Sequence, residues 1–163
     1  MREWFWTVRR RIQPRRFCKF PFDGDLRIGL YLQDELALRY ALGQQFEPDV
    51  CEFFRRAVKP GQVVFDVGAN VGHFTLLAGK HVGASGRVHA FEPAPEEYRK
   101  LCANVSLNRF SNVLMNHVAI CDRVGEAVLQ TAGPGLGLYN SLGMPLRSSL
   151  IGDISVPCTT LDC

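Results

Sequence analysis

Two acidic side chains follow neighbouring apolar segments of this 163-residue chain. Asp66 stands near the end of one apolar run, before a glycine-containing turn at residues 68–72, and Glu92 directly follows the next run. Glycine permits a tight turn and lets a ligand approach the backbone, and the free amides at a helix start can bind a polar group. A carboxylate on the second strand can accept hydrogen bonds from ribose hydroxyls. The two acids therefore predict a site for a nucleoside-type cofactor.

The turn differs from the dinucleotide fingerprint G-x-G-x-x-G, whose glycines approach a pyrophosphate. Asn70 stands where the second glycine would be, and Asp66 lies two residues before the first. An acid at that place repels a pyrophosphate and suits a cationic ligand, such as the amino-acid end of S-adenosylmethionine with its ammonium and sulfonium groups. The residues favour a methyl donor, and a nicotinamide dinucleotide with an NAD-dependent oxidoreductase activity remains the alternative.

The elements that must position these residues follow the rhythm of a doubly wound α/β sheet. Short apolar runs predict strands, and helical periodicity bounded by Pro or Gly predicts helices. The run at residues 62–67 is typical of a parallel strand covered on both faces. The predicted strands are residues 62–67, 87–91, 112–118, 125–131 and 154–160. The predicted helices are residues 34–42, 48–58, 73–82 and 95–108. The predicted inner face of the second helix consists of Val50, Phe53, Phe54 and Ala57.

Three stretches carry a specific pattern: VVFDVGANVGHFT at residues 63–75, GRVHAFEPAP at 86–95 and VPCTTLD at 156–162. Together with residues 101–108 and the shorter FEP and KPG that precede them, they resemble the FkbM-type family of class-I methyltransferases, over about residues 45–162. The resemblance implies a Rossmann-like sheet with flanking helices, S-adenosylmethionine as the cofactor and O-methylation, commonly of sugar or natural-product hydroxyls.

The resemblance also implies which residues contact the cofactor. The turn at its methionine end would be formed by Asp66, Gly68, Ala69, Asn70 and Gly72. Glu92 would hold the ribose. The residues near the adenine would be Phe91, Pro93 and Ala119.

Three further features are left open, and no catalytic residue is named. His73, beside the turn, is either a base near the methyl group or a packed histidine. Glu47 either closes over the site or stays apart from it, and residues 139–141 either contact the acceptor or form a surface loop. No metal site is predicted, because the histidines and cysteines lack metal-ligand spacing.

The family pattern continues with a strand bearing a Lys-x-Asp-x-Glu-Gly-like segment, which this sequence lacks. That strand would lie beside residues 63–67, so we expect their apolar edge to have no partner on that side. The expected sheet is incomplete at the C-terminus, in a truncated or fragmentary chain. The chain is then either an O-methyltransferase or a non-catalytic module that binds a nucleoside cofactor.

Charge divides the chain into a basic arm and a mildly acidic body. Residues 1–20 carry seven basic groups and one acid, and the remaining residues carry 12 basic and 15 acidic groups. The arm is either a solvated terminus or a contact for an anionic membrane surface or nucleic acid. We predict three parts: a basic aromatic arm at 1–20, a helical segment at 21–60 and a partial Rossmann-like methyltransferase domain at 61–163.

Composition excludes several classes of protein. With 47% hydrophobic and 21% charged residues, the chain is neither disordered nor a coiled coil, and no run approaches the roughly 18 apolar residues of a membrane helix. The arm is not a secretory signal, because more arginine follows its short apolar stretch. We expect reduced cysteines, a cytoplasmic location and a small-molecule or glycan acceptor, with no nucleic acid partner. The oligomeric state is left open.

Overall fold

A computed structural model of the chain describes residues 2–142 and 150–162. The helices are α1 (Arg2–Ile12), α2 (Glu35–Ala41), α3 (Pro48–Ala57), α4 (His73–Val82) and α5 (Pro95–Leu107). The first five strands are β1 (Phe17–Phe22), β2 (Leu26–Tyr31), β3 (Val63–Val67), β4 (Arg87–Phe91) and β5 (Val113–Asn116). The remaining strands are β6 (Ala119–Ile120), β7 (Gly125–Ala132) and β8 (Leu150–Thr159).

A parallel sheet with the strand order β3-β4-β5 carries the predicted cofactor turn. Helix α4 connects the first two strands and α5 connects the second and third. Both helices cover the same face of the sheet, where Val88 and Ala90 pack against Ala78 of α4 and Leu101 of α5. The predicted α/β fold, with a parallel sheet and flanking helices, is confirmed.

The opposite face of this sheet is open in the part of the chain that the structure describes. Val63, Phe65 and Val67 are 57%, 52% and 51% exposed. The Phe65 ring stacks on His89 and Phe91, with centroids 5.1 and 6.3 Å apart. The prediction that β3 is covered on both faces is therefore wrong, because burial alternates along the strand. Within the described residues, β3 pairs only with β4, as expected for an edge strand.

A β-hairpin lies where the sequence analysis placed the end of the arm and the start of a helical segment. Strand β1 pairs antiparallel with β2, and buried Phe20 and Phe22 alternate with exposed Lys19 and Pro21. The hairpin packs against α2 and α5. The predicted boundary after residue 20 thus falls inside β1, and residues 21–60 contain β2 as well as the helices α2 and α3.

Helix α3 has the predicted length but a different inner face. Cys51 is fully buried and Phe54 is partly buried, whereas Val50 and Phe53 are 43% and 68% exposed. Ala57 is exposed as well. The prediction therefore holds for Phe54 alone, because the helix is rotated so that Cys51 and Phe54 point inward.

Helix α1 is attached to the body of the protein. The Trp6 ring lies 5.9 Å from the Phe20 ring, and the Arg10 guanidinium donates a hydrogen bond to the Gln33 carbonyl. A solvated terminus would lack such contacts with the body of the protein. In residues 2–142 and 150–162, no helix has the length and apolar character needed to cross a membrane.

A second sheet, with the order β6-β8-β7, follows the parallel sheet. Strand β8 is parallel to β6 and antiparallel to β7. Strands β7 and β8 correspond to the predicted strands at residues 125–131 and 154–160. Among the described residues after β7, Gly137–Tyr139 form a 3-10 turn, and Ser141 then pairs with Gln130 of β7. The five cysteines among the described residues are free, and Cys163 lies outside those residues.

Candidate functional site

The turn between β3 and α4 is bound to the end of the neighbouring strand. The amides of Gly68 and Ala69 both donate to the Phe91 carbonyl, at 2.9 Å each. Gly68 and Asn70 have positive φ angles, +79° and +51°. No described atom lies within 4 Å of the place where a Cβ of Gly68 would be. The backbone of the turn is therefore open to a ligand at this point.

Glu92 joins the turn to the end of β4. Its side chain is 5% exposed, and its two carboxylate oxygens accept hydrogen bonds from the amides of Asn70 (2.7 Å) and Ala94 (2.8 Å). Burial raises the pKa of Glu92 to about 7, and the two backbone hydrogen bonds act against that rise. Each carboxylate oxygen has a second lone pair. Glu92 can therefore hold the turn and still accept hydrogen bonds from two ribose hydroxyls.

A first cavity of about 310 Å³ opens beside Glu92. Six of the nine predicted cofactor residues line it: Gly68, Asn70, Phe91, Glu92, Pro93 and Ala119. The opposite wall is formed by residues that the sequence analysis did not select, including Ile120, Leu129, Leu138, Asn140 and Ser141. The Asn70 side-chain amide donates to the Gly137 carbonyl at 3.0 Å, which fastens the loop after β7 to the turn.

A second cavity of about 380 Å³ lies on the other side of the turn. The two cavities share Gly68, Asn70 and Leu138. The apolar lining of the second cavity includes Leu36, Phe46, Ala69, Phe74 and Leu138. Its charged lining residues are Glu35, Arg39 and Glu47. Glu47 and Tyr139, which the sequence left open, thus lie at this cavity, and residues 140 and 141 lie at the first.

Asp66 and Gly72 lie outside both cavities. Asp66 points to the face of the sheet that the helices cover, where its carboxylate accepts a hydrogen bond from the Thr75 hydroxyl. Burial raises the pKa of Asp66, and the bond from Thr75 acts against it. A Cβ on Gly72 would lie 2.8 Å from Leu101 Cδ1. Asp66 therefore bonds the turn to α4, and Gly72 lets α5 approach it closely, while the place of both residues in the cofactor site stays a prediction.

His73 is a packed histidine and is not available as a base. Its Nδ1 lies 2.7 Å from the Tyr40 hydroxyl and its Nε2 lies 3.2 Å from Cys51 Sγ. The Cys51 thiol donates in turn to the Phe46 carbonyl at 3.3 Å. Burial lowers the pKa of His73 to about 4. The ring is therefore neutral at physiological pH, with both nitrogens engaged.

The family model described as the TRM5/TYW2 methyltransferase domain matches residues 49–130, half of the chain. The chain belongs to this family. It is a methyltransferase domain of the class-I kind, which uses S-adenosylmethionine, so the predictions of a methyltransferase and of its cofactor are confirmed. The site fits that cofactor, since Glu92 has spare acceptors and Gly68 leaves the backbone open. Family membership decides against the NAD-dependent alternative.

One curated relative of this TRM5/TYW2-family domain is the 31-O-demethyl-FK506 methyltransferase FkbM from Streptomyces tacrolimicus. The two are 45% identical over 69 residues, which are 42% of this chain and 25% of the relative. The chain thus spans a quarter of the length of the curated relative that it matches.

Solved structures of other methyltransferases are also similar to the TRM5/TYW2-family domain. P. horikoshii TYW2, in complex with MeSAdo, is 20% identical with a TM-score of 0.49, covering 68% of this chain and 39% of that chain. Trm5b from Pyrococcus abyssi is 24% identical with a TM-score of 0.44, covering 60% and 27%. A SAM-dependent O-methyltransferase from Thermotoga maritima is 23% identical with a TM-score of 0.43, covering 49% and 32%.

Proposed function

We propose that this domain takes part in methyl transfer to a hydroxyl oxygen of a sugar or natural-product acceptor. The support for an oxygen acceptor is the 45% identity to a 31-O-demethyl-FK506 methyltransferase, together with the FkbM-type motifs at residues 63–75 and 86–95. When bound, S-adenosylmethionine supplies an electrophilic methyl group. The main task of the chain is then to bind the adenosyl part and to align the acceptor with it.

Glu92 is the single structural observation that carries the cofactor-binding part of this proposal. It is a buried carboxylate at the end of the second parallel strand, bonded to the turn and exposed to the first cavity. A ribose whose two hydroxyls donate to this group would lie between Phe91 and the loop after β7. Pro93 and Ala119 line the same cavity on the side where the adenine is proposed to lie.

Calorimetric titration of S-adenosylhomocysteine into the purified chain tests the proposed cofactor site. Replacing Glu92→Gln removes the charge and one acceptor, and a hydrogen bond to a charged group contributes roughly 1.5–3 kcal/mol. We expect the variant to bind at least about tenfold more weakly. Glu52→Gln is the matched control, since Glu52 lies exposed on α3 and pairs with Arg56. Equal affinity in all three proteins would refute the assignment.

A transfer assay with radiolabelled S-adenosylmethionine separates an enzyme from a non-catalytic binding module. The acceptors are 31-O-demethyl-FK506 and simple methyl glycosides. We expect label in one of these classes and none in an RNA transcript, in line with a small-molecule or glycan acceptor. Cofactor binding without any transfer would support the non-catalytic module, and labelled RNA would contradict the proposed acceptor.

The location and membrane contact of the chain are also proposals. We propose a cytoplasmic location, in keeping with the free cysteines of the described residues. Exposed Arg11, Arg15 and Arg16 follow the aromatic start of the chain, and we propose that this basic segment contacts anionic lipid. Co-sedimentation with phosphatidylserine vesicles at low and high salt tests that contact, since binding through arginine weakens with ionic strength.

A further inference from the structure

Two opposite charges on α2 face the second cavity without pairing. Glu35 and Arg39 are one helical turn apart and both line this cavity. Charges at this spacing commonly pair on a helix surface. Here the described residues give Arg39 no ion-pair partner, and Glu35 Oε2 is buried without a hydrogen-bond partner among them. A buried carboxylate oxygen without a donor is unfavourable, so a ligand that brings its own donor would stabilise this arrangement.

The second cavity borders the proposed ribose site. It shares Gly68, Asn70 and Leu138 with the cavity beside Glu92. In our inference, the substituent on the 5′ carbon of a cofactor whose ribose lies on Glu92 extends past Gly68 toward this second cavity. Asp66, the acid that the sequence assigned to that end, bonds Thr75 on the helix-covered face instead.

We propose that Arg39 binds the α-carboxylate and Glu35 the α-ammonium of the amino-acid end of S-adenosylmethionine. The inference rests on the proposed function. Charge supports it: Glu35, Glu47 and Arg39 give the lining a net charge of −1, and the neutral His73 adds none. S-adenosylmethionine carries one carboxylate, one ammonium and one sulfonium, a net charge of +1. Arginine is also the residue best suited to bind a carboxylate by two parallel hydrogen bonds.

Two ligands that differ only in the amino-acid end test this inference. S-adenosylhomocysteine has that end and 5′-methylthioadenosine lacks it, while both carry the same adenosine. We expect wild-type protein to bind S-adenosylhomocysteine more tightly. Arg39→Ala and Glu35→Gln should each lower the affinity for S-adenosylhomocysteine at least about tenfold. The affinity for methylthioadenosine should change less than about twofold. Arg56→Ala and Glu52→Gln, both on the exposed side of α3, are the matched controls.

A third ligand, decarboxylated S-adenosylhomocysteine, assigns each charge to its partner. It keeps the ammonium and lacks the carboxylate, so we expect Arg39→Ala to have no effect on its binding and Glu35→Gln to keep its effect. If a variant lost affinity for all three ligands by the same factor, the substituted residue would have a structural role and the inference would be overturned. Unchanged binding in both variants would overturn it as well. Absence of binding of every ligand to wild-type protein would instead refute the proposed function itself.

Discussion

Glu92 combines two tasks that a sequence motif does not distinguish. Its carboxylate accepts hydrogen bonds from the amides of Asn70 and Ala94, which fixes the turn. The same side chain also lines the first cavity. Asn70 has a positive φ of +51°, a conformation that asparagine adopts more often than most non-glycine residues. The hydrogen bond from its amide to Glu92 joins this position to the end of β4. The acid therefore shapes the site and, in our proposal, binds the ribose as well.

Cofactor binding should depend on pH around the pKa of Glu92. Burial raises this pKa to about 7, so the carboxylate is ionised above that pH and becomes protonated below it. Hydrogen bonds to a charged group exceed neutral ones by about 1 kcal/mol. We therefore expect affinity for S-adenosylhomocysteine to fall about threefold from pH 8 to pH 6, since a full change of about 1 kcal/mol is about fivefold. Glu92→Gln should flatten the profile, and a wild-type profile without slope would contradict the prediction.

Gly72 should be intolerant of a side chain for a reason separate from cofactor binding. Its φ is +92°, and a Cβ would meet Leu101 Cδ1 at 2.8 Å. We expect Gly72→Ala to lower the free energy of unfolding by about 2 kcal/mol, measured by urea denaturation. Gly43→Ala is the control, because Gly43 has a similar φ of +74° and open space around it. Equal losses in both variants would show that the contact with Leu101 has no effect.

At the scale of elements, α5 holds the hairpin and the cofactor turn together. The Asn104 side chain is fully buried. Its carbonyl oxygen accepts a hydrogen bond from the Gly29 amide at 2.6 Å. Its amide group donates hydrogen bonds to the carbonyls of Gly29 and Val71. One residue thus bonds β2 and the turn before α4 at the same time. The hairpin is therefore part of the structure that positions the site, although it contributes no residue to the first cavity.

Removing this bridge should destabilise the fold more than removing a similar exposed one. Asn104→Ala leaves three buried backbone groups without a partner, and each such group costs about 1–3 kcal/mol. We expect a loss of about 3 kcal/mol in urea denaturation. Asn108→Ala is the matched control: Asn108 makes the same pair of bonds to the Arg27 backbone, but water can replace them at that exposed place. Similar losses in the two variants would contradict the argument.

At the scale of the whole molecule, the open face of the parallel sheet is the feature least typical of an isolated domain. Val63, Phe65 and Val67 lie exposed on an edge strand, and the described residues leave one side of that strand unpaired. Exposed apolar faces and free strand edges favour association. The molecule therefore has a surface suited to self-association, next to a buried cofactor turn.

Charge placed on this surface should reduce that association. We expect the wild-type chain to show concentration-dependent association in sedimentation velocity, and Val63→Lys to weaken it. Val124→Lys is the control, because Val124 is 68% exposed in the loop between β6 and β7. A wild-type chain that sediments as a monomer at every concentration would refute this, as would an equal effect of both lysines.

The sequence alone predicted the part of the fold in which local pattern and tertiary packing agree. Apolar runs and helix-ending residues placed β3, α4, β4 and α5 within a residue or so of their observed bounds. The hairpin was missed, although Asp23 and Gly24 between two apolar runs are a recognised hairpin signal. Phe20 and Phe22 alternate with Lys19 and Pro21, and a boundary drawn after residue 20 from the charge distribution divides this pattern.

Chain order also accounts for the six of the nine predicted cofactor residues that line the first cavity, because consecutive parallel strands bring their carboxyl ends to the same edge of the sheet. Which way each side chain points was decided by the tertiary structure. Asp66 faces Thr75 because alternate residues of a strand point to opposite faces, and the helices cover its side. Glu35, Arg39 and the loop after β7 reach the site only through long-range packing, which no local spacing in the sequence encodes.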